Sequence, residues 1–205
     1  MRKPGAASRC TVSPMETRLQ PLLEAIAAEV PRFRIVPKDR AWTQRLIHRL
    51  LWVLSLGGQR GYLGRYVTTL GATVYVPPDF DEWSEVDRVI VLHHEWVHLR
   101  QFRRYTYLGM ALLYLLPLLP VGLAWGRAWL EREAYAATVR ATLRLRGEAA
   151  VPALRQEILR RFTGPDYLWM WPFPRAVSRW LDRTLDAARQ SSDHRGDVTD
   201  GDAHG

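Results

Sequence analysis

From Tyr105 to Gly126 the chain runs for 22 residues without a charged side chain, interrupted by prolines at 117 and 120. By length alone such a run qualifies as a membrane-crossing candidate. As one straight helix it would be about 33 Å long, separating whatever precedes it from whatever follows. Pro117 and Pro120 work against that rod, because each removes a helix hydrogen bond and clashes with the preceding turn. The flanks make this geometry matter: His94, Glu95 and His98 lie just before the run, and Glu131 and Glu133 just after it.

His94-Glu95-Trp96-Val97-His98 spells HExxH in a stretch with helical patterning. Histidines four apart stand one above the other on one helical face, so both imidazoles can grip one ion. Glu95 between them is placed to take a proton from a metal-held water. Those are parts of a zinc hydrolase, and a third ligand has to complete them. Zinc ligands sit about 2 Å from the ion, so a straight span over 105–126 would rule out a shared site. A broken helical hairpin, buried in the core or dipping into a membrane interface, returns Glu131 to the histidines.

Residues two apart on a helix are about 200° apart, so only one of Glu131 and Glu133 can face the ion. Glu131 shares its face with Ala134, which permits close helix approach, and with Tyr135, whose phenol suits the orientation of a ligand histidine. Helical-face geometry therefore favours Glu131, with Glu133 the alternative. His93, one position off the ligand face, is expected to pack or to hydrogen-bond. Tyr66, Tyr75, Tyr105 and Tyr107 are further candidates for stabilising an oxyanion.

Elsewhere the patterning predicts a mostly helical α+β domain over residues 15–190. Residues 1–14 read as a disordered N-terminus and 191–205, with four aspartates, as a disordered acidic tail. Helices are expected over 15–30, 42–56, from Ser84 to about Arg104, 127–146, 152–162 and 175–190. Val86, Ile90, His94, Val97 and His98 are expected to form the inward face of the motif helix. Phe33–Val36 reads as a short strand. Residues 65–76, centred on Leu70-Gly71-Ala72, read as a β-hairpin.

The charge of +8 is carried mainly by arginine. The arginines are spread over nearly every predicted helix without a basic block or a nucleic-acid module, so no nucleic-acid partner is expected. A single cysteine, Cys10, excludes an internal disulfide and a cysteine-based zinc site. Pro4 and Gly5 fall where a secretory signal needs an apolar core, which points to the cytoplasm, with membrane association through 105–126 as an option.

The motif with Glu131-Arg132-Glu133-Ala134-Tyr135 resembles the gluzincin metallopeptidases. In their prenyl-protein protease and membrane-integral relatives the glutamate helix reads E-x-E-A-D. The span His94–Tyr135, with Gln101 three residues past the second histidine, also resembles small uncharacterised bacterial proteins of peptidase type. The likeness covers about residues 65–140. It implies His94, His98 and Glu131 as zinc ligands, Glu95 as general base and a peptide or protein substrate. It also implies a minimal core with a hairpin beside the HExxH helix, whose edge strand pairs with substrate backbone. Tyr135 stands where the relatives have a ligand-supporting aspartate, which alters that support. Two rival expectations remain: a non-catalytic membrane-associated scaffold built on 105–126, and a zinc hydrolase of a non-peptide amide.

Overall fold

The computed structural model describes residues 19–40, 67–115, 124–164 and 169–200. The expected N-terminal disorder, Cys10, the helix at 42–56, Tyr66 and the prolines at 117 and 120 lie outside the described residues. Helix α1, Leu19–Glu29, buries Leu22 and Ile26 at helical spacing. Strand β1, Arg34–Pro37, follows, then a 3-10 turn at Lys38–Arg40. Strands β2, Thr68–Leu70, and β3, Thr73–Val76, form the expected hairpin. Of its two turn residues only Gly71 has positive φ, at 63°, the pattern of a type II′ turn. The sheet order is β1-β3-β2, with β1 parallel to β3 and β2 at the edge.

Helix α2, Glu85–Leu115, carries the HExxH sequence. Ser84 Oγ accepts from the Asp87 amide at 3.1 Å, capping its first turn as expected. The helix does not stop near Arg104. It bends at Thr106, where φ is 60° and ψ 175°, and continues. Such a backbone is strained for a β-branched residue, and the bend redirects the apolar second half of α2.

Three further helices follow among the described residues: α3, Trp125–Arg146; α4, Val151–Thr163; and α5, Pro174–Asp200. Gly147, with φ 72°, ends α3 where its arginine-rich last turn predicts a stop. The α5 backbone runs helical through Asp200, ten residues past the expected boundary at Gln190. Extending a formed helix gains a hydrogen bond per residue fixed, and no proline follows Pro174. The protein is thus α+β and predominantly helical. No described helix is long and apolar enough to cross a membrane.

Among the described residues, two apolar clusters organise the packing. Leu22, Ile26, Val74, Val76, Val89, Leu92 and Leu99 join α1 and the sheet to one side of α2. Tyr135, Val139, Ile158, Phe162, Val177, Trp180 and Leu181 join α3 to α4 and α5. The contact between α2 and α3 is the seam between them. Residue pairs His93–Arg144, Gln101–Glu133 and Tyr114–Glu131 show the two helices running antiparallel. At the far end a Cβ on Gly126 would lie 2.7 Å from the Leu113 carbonyl oxygen, so glycine allows the helices to close.

The inward face of α2 is rotated from the expected one. Its buried residues are Val89, Leu92, Glu95, His98, Leu99, Gln101 and, beyond the bend, Met110, while Val86, Ile90, His94 and Val97 are half-buried. The physical reason is that α2 is covered twice, by α1 and the sheet on one flank and by α3 on the other. A single-face reading of its periodicity captures only one of those contacts.

Candidate metal centre

The seam between α2 and α3 brings together His94, His98 and Glu131, one donor atom from each lying within 4.8 Å of the others. His94 Nε2 and His98 Nε2 are 3.2 Å apart. Glu131 Oε2 lies 3.5 Å from the first and 3.9 Å from the second. A tetrahedral ion with bonds of about 2.0–2.1 Å has ligand–ligand edges of about 3.3–3.4 Å. The three separations bracket that value, so these residues fit a small divalent cation.

The hydrogen bonds behind the rings explain why the donor atoms are available. His94 Nδ1 lies 3.0 Å from Thr138 Oγ1, and that hydroxyl donates to the Ala134 carbonyl at 3.2 Å. With its proton committed, Thr138 accepts from His94 Nδ1–H. The Gln101 amide nitrogen donates to the Leu130 carbonyl at 3.0 Å and to Glu133 Oε2 at 2.8 Å. That fixes the amide, so its oxygen, 2.9 Å from His98 Nδ1, accepts from the ring. In both imidazoles the lone pair therefore sits on Nε2, aimed at the other ring and at Glu131. Three electron-rich atoms converging this closely repel unless a cation lies between them.

Glu131 is buried, and Tyr114 donates to its Oε1, leaving Oε2 for the imidazoles. Burial raises the Glu131 pKa, but the hydrogen bond and positive charge that His94 and His98 supply when protonated, together with the Arg127 guanidinium, outweigh it and hold the group well below the ordinary carboxylate range. Burial and the nearby Glu131 raise the Tyr114 pKa, which keeps its phenol a donor. The Tyr135 ring stands edge-on to His94, 4.8 Å between centroids, and holds that imidazole from the side opposite α2.

Glu95 is buried on the sheet side of α2, where Thr69 Oγ1 on β2 donates to its Oε2 at 2.7 Å. The neighbouring Thr68 Oγ1 accepts from Lys38 Nζ at 3.0 Å. Lys38 is fully buried in the turn after β1. Burial lowers its pKa to about 8, opposed by the Glu95 charge. A polar layer of Lys38, Thr68, Thr69 and Glu95 thus runs from the sheet to the motif helix.

Of the two competing carboxylates, the structure joins Glu131 to the histidines and turns Glu133 to Gln101. His93 points away from the centre and accepts from Arg144 at 3.1 Å. Burial, then the charges of Arg144, Arg140 and Arg100, lower its pKa to about 4. Among the proposed tyrosines, Tyr105 packs on Trp129 and Tyr107 on Phe102, while Tyr75 lies on β3. Beside the expected Tyr135, the centre holds Tyr114, which sequence reasoning missed inside the apolar run. Thr138, Thr69 and Lys38 were missed as well. Lys38 alone carried a signal, as one of two lysines in a chain that otherwise uses arginine.

The chain matches no protein-family model, no curated protein and no solved structure.

Proposed function

We propose that this protein is a zinc-dependent hydrolase of peptide bonds, with His94, His98 and Glu131 as ligands and Glu95 as general base. The observation that carries the proposal is the commitment of both Nδ1 atoms to Thr138 and Gln101, which leaves three unprotonated donors converging on one point. A zinc ion held there supplies Lewis acidity and acidifies a water at neutral pH. Glu95, with Oε2 engaged by Thr69, offers its other oxygen to the proton of the attacking water. It then passes that proton to the leaving nitrogen, giving a carboxylate and an amine as products. Tyr114 keeps Glu131 single-pronged by occupying Oε1. β2, at the sheet edge beside α2, offers backbone groups for an extended peptide. A non-catalytic scaffold gives no role to a buried carboxylate that accepts from Thr69 within reach of the Lys38 charge, so the hydrolase reading accounts for more of the molecule.

Metal analysis of purified protein tests this reading. One zinc per chain is expected for wild type and Glu133→Ala, with loss of metal in His94→Ala and Glu131→Ala. Glu95→Gln should retain the metal and lose hydrolysis of a peptide library, because an amide cannot accept the proton. Wild type without stoichiometric metal refutes the proposal.

A further inference from the structure

We propose that the exposed face of α2 beyond its bend, residues 107–112, docks on the surface of an anionic bilayer. Tyr107, Leu108 and Leu112 are 63%, 70% and 50% exposed, and Ala111 is exposed with them. The four share one face at helical spacing, so water meets an unbroken apolar strip. Across the seam Trp125, the first residue of α3, is 60% exposed and adds an indole suited to the headgroup region. A soluble helix places polar side chains on such a face. This one carries no charged side chain, although the adjoining side of the same segment buries Met110 and directs Tyr114 to Glu131.

Charge selects the occupant. Between Glu95 and Glu131 the sequence holds no acidic residue and four arginines; Arg100 is paired with Glu29 and Arg127 lies over the Tyr114 ring, so Arg103 and Arg104 form the border of the strip. Arg103 and Arg104 are exposed immediately before the apolar strip. An apolar strip with a cationic border matches the interface of a membrane containing anionic lipid. A second copy of the chain presents the same positive border and the same +8 charge, which opposes self-association through this face. The other side of the same segment packs on α3 through Tyr114–Glu131 and Leu113–Gly126, so the contact proposed is a peripheral one. A helix with its side chains is about 10–12 Å across, so docking would bring the histidine–glutamate centre within roughly one helix width of the lipid.

Co-sedimentation of the full chain with vesicles tests the inference. The vesicles are phosphatidylcholine alone, or phosphatidylcholine with about one-quarter phosphatidylglycerol. Wild type should bind the mixed vesicles, more weakly at high salt, and bind the neutral ones least. Leu108→Glu or Leu112→Glu should lower binding by about tenfold or more. Arg104→Glu should reduce binding to the mixed vesicles and leave the neutral ones unaffected. Leu108 and Leu112 face water, so circular dichroism and metal uptake should match wild type. Absence of binding to mixed vesicles overturns the proposal, as does equal binding by wild type and a correctly folded Leu108→Glu. A solution dimer dissociated by Leu108→Glu, without vesicle binding, also overturns it in favour of a second copy.

Discussion

Replacing Lys38 by methionine isolates the energetics of the polar layer beneath the motif helix. In the folded protein burial lowers the Lys38 pKa from 10.5 to about 8. An unfolded chain keeps the proton up to the higher value, so between these pH values the unfolded state binds more protons. Stability linked to Lys38 therefore rises with pH across that window. Each pKa unit is about 1.4 kcal/mol, and most of the interval is traversed by pH 10, giving about 2.5 kcal/mol relative to pH 7. For a chain of this size that is a Tm change of about 5–10 °C. Other groups titrate in the same range, and Tyr114, with its raised pKa, contributes in the opposite sense. The informative quantity is therefore the difference between wild type and Lys38→Met, measured by urea unfolding at steps from pH 7 to pH 10. Wild type should gain on the variant by that amount, with the variant ahead at pH 7, because methionine fills the site without a buried charge. Parallel profiles for the two proteins would refute the assignment of Lys38 as a buried, depressed lysine.

Three other substitutions probe separate parts of the molecule. Gln101→Leu removes the acceptor that sets the His98 tautomer and should weaken zinc affinity by about 10–100-fold, measured by competition with a chelator; unchanged affinity would count against the proposed tautomer. Gly71→Ala forces a side chain onto a residue at φ 63°, with Tyr107 overhead, and should cost about 1–2 kcal/mol in urea unfolding. Thr106→Gly relieves the backbone at the bend of α2 and should stabilise by up to about 1 kcal/mol; a loss of stability would mean the bend carries no strain.

Much of the centre was legible because it is written in short-range periodicity. The pairing of His94 with His98 follows from four-residue spacing on any helix. The preference for Glu131 over Glu133 followed from its sharing a face with Ala134 and Tyr135. Both of those residues are buried, and Ala134 is fully so. Gly71 announced the hairpin turn, and Val177, Trp180, Leu181, Leu185 and Ala188 announced the buried stripe of α5.

The sequence by itself determined these local alignments, because backbone geometry ties residues three and four apart to one face whatever surrounds them. Tertiary structure decided the partners. Thr138 behind His94, Tyr114 on Glu131, Thr69 on Glu95 and Lys38 beneath them arrive from different elements. The parallel pairing of β1 with β3 and the bend at Thr106 were likewise settled only by packing. Such contacts depend on how helices rotate and cross when two apolar cores close on either side of a shared seam. Sequence spacing carries no record of that rotation, which is set by the summed burial of side chains far apart in the chain.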